Sequence, residues 1–196
     1  MGLFIVFEGI DRSGKTTLSS RLLEHISKTN PNCILIRFPC RTNITGTIIN
    51  SVLTNKVDLP DETMHLLFSA NRWEESNRIE RFLNNNGIVI SDRYYDSGIV
   101  YSIAKGLDED WCKQSDKGLP EPDFKFFIDI EPTDVIDRDG YGDEKYETIE
   151  FQKKVYDTYK RSIIKSSSVH DDDDWILLDG KKTVDELLNT IISFIF

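Results

Sequence analysis

One segment near the N-terminus, Gly9–Thr16, limits the folds open to this chain, because its sequence GIDRSGKT matches the phosphate-binding pattern G-x-x-x-x-G-K-[ST]. A strand-length apolar run, Leu3–Phe7, comes before it, and Leu18, Leu22 and Ile26 follow at helical spacing. Glycines allow the backbone to wrap around a phosphate, and the amides at a helix N-terminus attract anions. A chance glycine-rich turn would lack this combination. The order of strand, loop and helix therefore predicts a P-loop that binds a nucleoside triphosphate.

Side chains of the predicted P-loop have roles that follow from their chemistry. Lys15 can reach the β- and γ-phosphates, and the Thr16 hydroxyl can ligate Mg²⁺. A second anchor, Asp92-Arg93, follows the buried run Ile88–Ile90 and supplies a metal-side carboxylate and a phosphate-side guanidinium. The predicted Mg²⁺ ligands are Thr16 and Asp92. The predicted catalytic residues are Arg12, Lys15, Asp92 and Arg93.

The rest of the chain alternates between apolar runs and helical patterns. The further runs of strand length are Cys33–Phe38, Ile88–Ile90, Phe124–Ile130 and Trp175–Leu178. Their apolarity is nearly continuous, which is typical of parallel strands covered on both faces. Asp61 can cap a long helix that ends near Asn84, and Thr183 with Glu186 forms a capping box before the last helical pattern. We therefore predict a three-layer α/β fold with a five-stranded parallel sheet, in one domain of residues 1–196.

Composition and charge exclude several classes of function. The 196 residues include 34 acidic and 24 basic side chains, which gives a formal net charge of -10. A surface of that sign repels nucleic acid, so we expect no nucleic-acid partner. Cys33, Cys40 and Cys112 show no CxxC pairing and no histidine cluster accompanies them, so we expect neither disulfides nor zinc. No apolar run is long enough to span a membrane. We expect a protein of the cytoplasm or the nucleus without a membrane partner.

A P-loop does not specify which group receives the phosphate, so aromatic and basic residues elsewhere in the chain become informative. Phe68 and Arg72 lie four residues apart on the predicted long helix and share one face. Phe38 ends the second apolar run, Arg41 comes three residues later, and Tyr101 comes after Asp92-Arg93. Aromatic faces beside guanidiniums are typical of a nucleotide site. From spacing alone, Phe68 could equally pack in the core, Tyr101 could be a packing residue, and Arg72 could pair with a surface glutamate.

At these residues the sequence resembles the thymidylate kinases, most of all the eukaryotic type with a basic residue in the P-loop. The resemblance covers essentially the whole chain, and the block FSANR together with DRY is far more specific than the P-loop. The stretches that carry it are FEGIDRSGKT (7–16), RFP (37–39), HLLFSANRWE (65–74), DRY (92–94), SG (97–98), DWCKQ (110–114), GLPEPD (118–123), GDEKYE (142–147) and FQ (151–152).

The resemblance implies a nucleoside monophosphate kinase fold and transfer of the γ-phosphoryl group of Mg·ATP to thymidine monophosphate (dTMP). The ATP contacts are expected at Gly9, Asp11, Arg12, Ser13, Gly14, Lys15, Thr16, Thr17, Arg138 and Lys181. The dTMP contacts are expected at Asp11, Phe38, Arg41, Phe68, Arg72, Arg93, Ser97, Gly98, Tyr101, Tyr146 and Gln152. Phe68 would stack on thymine, Arg72 would hydrogen-bond the base, and Tyr101 would lie under the deoxyribose. A homodimer and a mobile lid over residues 138–147 are also implied.

Arg12 projects from the P-loop, where a guanidinium can stabilise charge on the transferring group. In the family, types with this arginine tend to lack an arginine in the lid, and residues 139–147 here contain Lys145 as their only basic residue. Two positions depart from the family's pattern. Cys40 stands where an acidic residue is common, and Asp96 adds a negative charge near the predicted phosphate site.

Other functions stay open on the sequence alone. One is a deoxynucleoside kinase or a broader nucleoside monophosphate kinase on the same fold. Another is a regulatory module that binds nucleotide without phosphorylating an acceptor, which the acceptor-site aromatics and arginines argue against. A nucleic-acid-linked ATPase is disfavoured by the net charge of -10.

Overall fold

The structure is a computed structural model that describes residues 2–138, 142, 144–168 and 175–196, without the side chains of 163–168. Its strands are β1 (Leu3–Glu8), β2 (Cys33–Arg37), β3 (Ile88–Asp92), β4 (Phe124–Asp129) and β5 (Trp175–Asp179). Its helices are α1 (Lys15–Ser27), α2 (Ile44–Leu53), α3 (Asp61–Asn84), α4 (Tyr95–Ala104), α5 (Glu109–Gln114), α6 (Ile149–Ser168) and α7 (Val184–Ile195), with a 3₁₀ turn over Pro132–Asp134. Each of the five apolar runs that predict a strand forms a strand in the structure.

In the part of the chain that the structure describes, the five strands form one parallel sheet in the order β2-β3-β1-β4-β5. This arrangement confirms the predicted parallel sheet. Phe7 of β1 and Arg37 of β2 are both in register with Asp92 of β3. The carboxyl ends of parallel strands lie at the same edge of the sheet. The connection after β1 and the connection after β3 leave that edge in opposite directions, so a crevice opens between the ends of these two strands.

Helices cover both faces of the sheet, as the unbroken apolarity of β1 requires. Ile5 and Phe7 pack in one core cluster with Leu18 of α1, whereas Phe4 packs in another with Ile79 of α3. Alternate residues of a strand point to opposite faces, so a strand that is apolar at every position must be covered twice. The predicted three layers are therefore present.

The ends of two helices test the capping predictions. The capping box before α7 is confirmed, because the Thr183 hydroxyl accepts from the Glu186 N–H and the Glu186 carboxylate accepts from the Thr183 N–H. The predicted cap of α3 is wrong. Pro60 occupies the N-cap position, and Asp61 is the first helical residue, where its charge still favours the helix dipole.

Three helices were not predicted as elements. α2 and α5 are short and begin at polar caps, with the side chains of Asn43 and Asp108 accepting from backbone N–H groups. α4 starts two residues after Arg93. Within the predicted lid, the structure describes residues 138, 142 and 144–147, and the other four lie outside the description. No helix among the described residues is long and apolar enough to cross a membrane.

Candidate functional site

A cavity of about 610 Å³ opens at the carboxyl edge of the sheet, where β1, β2 and β3 end. Its walls come from the P-loop, the segment after β2, the helices α3 and α4, and residues just before α6. The predicted site residues that line it are Asp11, Arg12, Gly14, Lys15, Thr16, Thr17, Phe38, Arg41, Phe68, Arg72, Asp92, Arg93, Ser97, Gly98, Tyr101, Arg138 and Tyr146. Residues predicted from distant parts of the sequence thus meet in one cavity.

The P-loop turns through backbone conformations that favour glycine. Gly9 has a φ of 148° and Gly14, which precedes the first residue of α1, has a φ of 106°. A side chain at Gly9 would also place its Cβ 2.9 Å from the Ser13 hydroxyl. Arg12 has a φ of 61°, a left-handed conformation that is uncommon for a residue with a side chain.

Lys15 is a buried cation at the base of the cavity. Its Nζ donates to the Ile10 carbonyl and, at 3.1 Å, to the Ser13 hydroxyl. Burial, with a further effect from the charge of Arg93, lowers the pKa of Lys15 from its ordinary 10.5 to about 7. An anionic ligand would favour the charged amine and raise that pKa again.

The predicted metal ligands are in contact. The Thr16 hydroxyl donates to Asp92 Oδ2 at 2.6 Å, and the same carboxylate oxygen lies 3.1 Å from Nε of Arg37. Hydroxyl and carboxylate oxygens are the hard ligands that Mg²⁺ takes together with water and phosphate oxygens. The donor set therefore fits a Mg²⁺ ion that also binds a nucleotide.

Arg93 connects the P-loop to α4. It has a φ of 72°, and its guanidinium donates to the Gly9 carbonyl at 2.7 Å and to the Ser97 hydroxyl at 2.8 Å. It also donates to Asp11 and, at 3.3 Å, to the Tyr101 hydroxyl. Burial raises the pKa of Tyr101, so this hydroxyl is neutral. These contacts hold the guanidinium at the cavity wall.

Asp11 is oriented from the other side by Gln152. The Asp11 N–H donates to Gln152 Oε1 at 2.9 Å, and Gln152 Nε2 donates to Asp11 Oδ2 at 2.7 Å. The same Nε2 donates to the Tyr146 carbonyl at 2.9 Å. Gln152 is fully buried and does not line the cavity itself. It ties the P-loop to the described end of the predicted lid.

Two arginines of the cavity are paired with glutamates that precede α6. Arg12 Nε donates to Glu147 Oε1 at 3.0 Å, and Arg41 donates to Glu144. Arg41 also donates to Asn50 Oδ1 at 2.8 Å. A phosphate group carries a charge of the same sign as a carboxylate and accepts the same fork of N–H donors. Anionic ligands can therefore take the place of these glutamates.

Arg72 is buried, which contradicts the alternative of a surface ion pair. Its Nε and Nη2 donate to the two carboxylate oxygens of Asp116 at 2.9 and 2.7 Å, and the side chains are 2% and 4% exposed. A Cβ added to Gly98 would lie 2.7 Å from Nη2 of Arg72. The glycine of the SG pair thus makes room for the guanidinium at the cavity wall.

The aromatic residues of the cavity are partly packed and partly open. Phe68 and Tyr146 are half-buried and pack against one apolar cluster that includes Leu53 and Met64. Phe38 is 4% exposed and belongs to the core cluster that contains Phe4 and Ile79. Phe68 is therefore both a packing residue and a wall of the cavity, so the two interpretations of its helical spacing are compatible.

Four predicted contacts do not line the cavity. Gly9 accepts from Arg93, Ser13 accepts from Lys15, and Gln152 reaches the P-loop from α6 by donating to Asp11. Lys181 is exposed on the turn after β5, and its Nζ lies 3.0 Å from Asp134. Its predicted contact with ATP stays a prediction. Arg138 lines the cavity and donates to the Arg12 carbonyl.

Glu8 and Lys105 support the site although the sequence does not predict them, because their partners are distant in the chain. Glu8 is fully buried and accepts from Tyr159 OH at 2.8 Å and from the Tyr94 and Ser97 N–H groups at 2.8 and 3.1 Å. A buried carboxylate directly after an apolar run is the signal that could have revealed it. Lys105, at the end of α4, lines the cavity and has no comparable signal.

The two departures from the family's pattern have local explanations. Cys40 contacts Asn71 through its backbone, with the N–H donating at 2.7 Å and the carbonyl accepting at 3.0 Å. The segment before Arg41 is therefore fixed without an acidic side chain at position 40. Asp96 does not line the cavity, and its carboxylate lies 3.7 Å from Nζ of Lys125 on β4.

The charge of the cavity is opposite to that of the whole chain. Eight lysine or arginine side chains and four acidic side chains line it among the described residues, although the chain carries a formal charge of -10. Concentrated cations on rigid elements attract small anions even when the protein is acidic overall. The cavity is therefore suited to phosphorylated ligands.

Comparison with known proteins gives consistent matches over the whole fold. A family model described as thymidylate kinase matches residues 7–191. The thymidylate kinase of Dictyostelium discoideum is 44% identical over 194 residues, which cover 98% of this chain and 84% of that protein. The human thymidylate kinase is 36% identical over 185 residues, which cover 94% of this chain and 85% of that protein. The solved structure of thymidylate kinase from Candida albicans has a TM-score of 0.86 and 37% identity, covering 99% of this chain and 91% of that one.

Proposed function

Because this chain belongs to the thymidylate kinase family, it phosphorylates dTMP with ATP, and we propose here which of its residues carry the transfer. The observation that carries the proposal is the single cavity of about 610 Å³ that joins the P-loop to Phe68 and Arg72. A donor phosphate at the P-loop and a base at α3 would be held at opposite ends of that cavity. The acceptor phosphate would then lie between them.

At the donor end, the P-loop amides and Lys15 bind the ATP phosphates. Support comes from the glycine conformations at Gly9 and Gly14 and from the buried amine of Lys15, which an anion would keep charged. Arg138, beside the P-loop, and Lys181, after β5, complete the proposed ATP contacts. Mg²⁺, when bound, would neutralise phosphate charge, and Thr16 with Asp92 would hold it.

At the acceptor end, Phe68 stacks on the thymine ring and Arg72 hydrogen-bonds the base. Asp116 already accepts from Nε and Nη2, which form one edge of the Arg72 guanidinium, so among the described residues the other edge, with Nη1, is left for the ligand. The proposed contacts with sugar and phosphate are Asp11, Phe38, Arg41, Arg93, Ser97, Gly98, Tyr101 and Tyr146, and Gln152 acts through Asp11. Arg41 and Arg93 are the cations among them.

Catalysis follows from positioning and charge neutralisation. The acceptor phosphate is ionised at neutral pH, so its oxygen attacks without a strong general base. Arg12 pairs with Glu147 and Arg41 with Glu144. We infer that the phosphates of the two substrates replace these carboxylates. Arg12 would then contact the transferring group and stabilise the charge that develops on it.

A coupled assay of ATP consumption over the common nucleoside monophosphates tests the proposal. We expect turnover with dTMP and little with thymidine, which separates this activity from that of a deoxynucleoside kinase. Lys15→Ala should abolish turnover while the thermal unfolding midpoint stays close to that of the wild type. Normal activity in a folded Lys15→Ala protein would refute the role of the P-loop. ATP hydrolysis without dependence on any acceptor would instead indicate a regulatory module.

We further propose a cytoplasmic or nuclear homodimer that binds neither nucleic acid nor membrane, with residues 1–196 acting as one kinase domain. The unpaired cysteines suit a reducing compartment, and the formal charge of -10 suits a protein without a polyanionic partner. Light scattering at several protein concentrations measures the oligomeric state directly.

A further inference from the structure

Lys105, the residue that follows α4, has a cationic side chain that the proposed transfer does not use. The side chain is 8% exposed and lines the main cavity. It also lines a second cavity of about 400 Å³, whose other walls include Asp61, Tyr146 and Phe151. Lys105 and Tyr146 are therefore part of the wall that separates the two cavities.

The ammonium group of Lys105 is held by a specific set of contacts. Its Nζ donates to the Tyr146 hydroxyl at 2.8 Å and lies 3.2 Å from the Asp61 carboxylate. The same Nζ lies 4.0 Å from the centre of the Tyr146 ring. A largely buried ammonium requires partners, and a hydrogen bond from a charged donor is stronger than a neutral one. The position of the Tyr146 ring is thereby tied to α3 and α4.

Tyr146 in turn shares its packing with the aromatic wall of the acceptor end. It packs on the apolar cluster of Leu53 and Met64, against which Phe68 also packs. Its carbonyl accepts from Gln152, which orients Asp11. A shift of Tyr146 would therefore change both the packing around Phe68 and the hydrogen bonds that reach the P-loop.

We propose that Lys105 is a positioning residue for the acceptor: it holds Tyr146 in the place that dTMP binding requires. The inference rests on the proposed function, in which Tyr146 belongs to the acceptor site. Lys105 acts through the Tyr146 hydroxyl, and the Asp61 carboxylate holds the ammonium in place. Lys15 at the donor end depends less on this contact, because its own hydrogen-bond partners are Ile10 and Ser13.

Kinetics of Lys105→Met, Tyr146→Phe and the double variant test the inference. Each single change removes the same hydrogen bond, so the KM for dTMP should rise roughly tenfold in each, the factor expected for one lost charge-assisted hydrogen bond. The KM for ATP should change by less than about twofold. The double variant should be no worse than the poorer single variant, because the two residues act as a unit. Lys105→Arg, which keeps the charge and the N–H donors, should recover most of the loss.

A matched control separates this role from a general effect of the substitution. The thermal unfolding midpoint of each variant shows whether a rise in KM is only a consequence of lost stability. Lys113→Met makes the same chemical change at an α5 side chain that is 52% exposed and does not line the main cavity, and it should leave both KM values unchanged. If Tyr146→Phe raises the KM for dTMP and Lys105→Met does not, the inference is overturned and the proposed acceptor site stands. If the two effects add in the double variant, Lys105 acts independently of Tyr146, which also overturns it. If Tyr146→Phe has no effect, Tyr146 OH serves no acceptor function and both proposals fail at that residue.

Discussion

Replacing Arg12 with glycine separates a catalytic cation from a structural one. Its φ of 61° is open to glycine without steric cost, so the change relieves about 1–2 kcal/mol of backbone strain. The extra freedom of glycine in the unfolded chain opposes this by about 0.5–1 kcal/mol. The lost pair with Glu147 involves a guanidinium that is 33% exposed, so it contributes at most about 1 kcal/mol. These effects nearly cancel, and we expect the free energy of unfolding to change by less than about 1 kcal/mol.

The effect of Arg12→Gly on turnover should be much larger. A guanidinium that stabilises charge only in the transition state is worth roughly a thousandfold in kcat, which is about 4 kcal/mol in activation free energy. The affinity for ATP should change far less, because Lys15, Thr16 and the loop amides stay in place. The coupled assay yields kcat and both KM values, and equilibrium unfolding in urea yields the stability of the same samples.

Lys145→Ala is the matched control, since Lys145 is the only basic residue in the sequence of 139–147. Its Nζ pairs with Asp58, and the residue lines the second cavity and not the main one. We therefore expect kcat to stay within about threefold of the wild type, as for other changes to exposed ion pairs. A near-normal kcat in folded Arg12→Gly refutes the reasoning. Loss of kcat in Lys145→Ala with normal Arg12→Gly would place the catalytic cation in the lid.

Three further changes test other parts of the site. Phe68→Ala should raise the KM for dTMP roughly ten- to hundredfold and leave that for ATP unchanged, since base stacking contributes about 1–3 kcal/mol; equal rises would mean that Phe68 only packs. Gly98→Ala should raise the KM for dTMP at least about tenfold, because its methyl meets an Arg72 guanidinium that Asp116 holds in place, and an unchanged KM would contradict this. Lys15, with its pKa near 7, is mostly neutral at pH 8 in the free protein, so ATP binding should take up protons there and take up fewer at pH 6. Calorimetry in buffers of different ionisation enthalpy measures that uptake, which should vanish in Lys15→Met; no uptake at pH 8 in the wild type would show that the amine is already charged.

The lowered pKa of Lys15 also predicts how the stability of the protein depends on pH. Burial lowers its pKa in the folded protein, so between about pH 7 and the ordinary value of 10.5 the unfolded chain binds more protons than the folded one. The contribution of this group to the free energy of unfolding therefore rises with pH over that window. It is least favourable below pH 7, where the buried amine is charged. Lys15→Met should remove this pH dependence in urea unfolding.

The sheet, the P-loop and the family are all predictable from the sequence. Each of these depends on residues that are neighbours in the chain: an apolar run before GIDRSGKT, continuous apolarity in the other strands, and blocks such as FSANR. A continuous apolar run indicates that both faces of the sheet are covered at that strand. The spacing of the glycines indicates the turn that wraps around a phosphate. Such local patterns can be recognised without knowledge of the fold, so the positions of the strands and the P-loop could be predicted closely.

Tertiary structure alone decided which charged groups face one another. Arg72 is followed by three glutamates on its own helix, yet its partner is Asp116, 44 residues away. Lys105 meets Tyr146 across 41 residues, and Gln152 meets the P-loop across 141. No local periodicity encodes these pairs, because they exist only once the helices have packed on the sheet and closed the crevice at its carboxyl edge. The sequence supplies the charged residues of the site, and the packing of distant elements, which desolvates them, selects their partners.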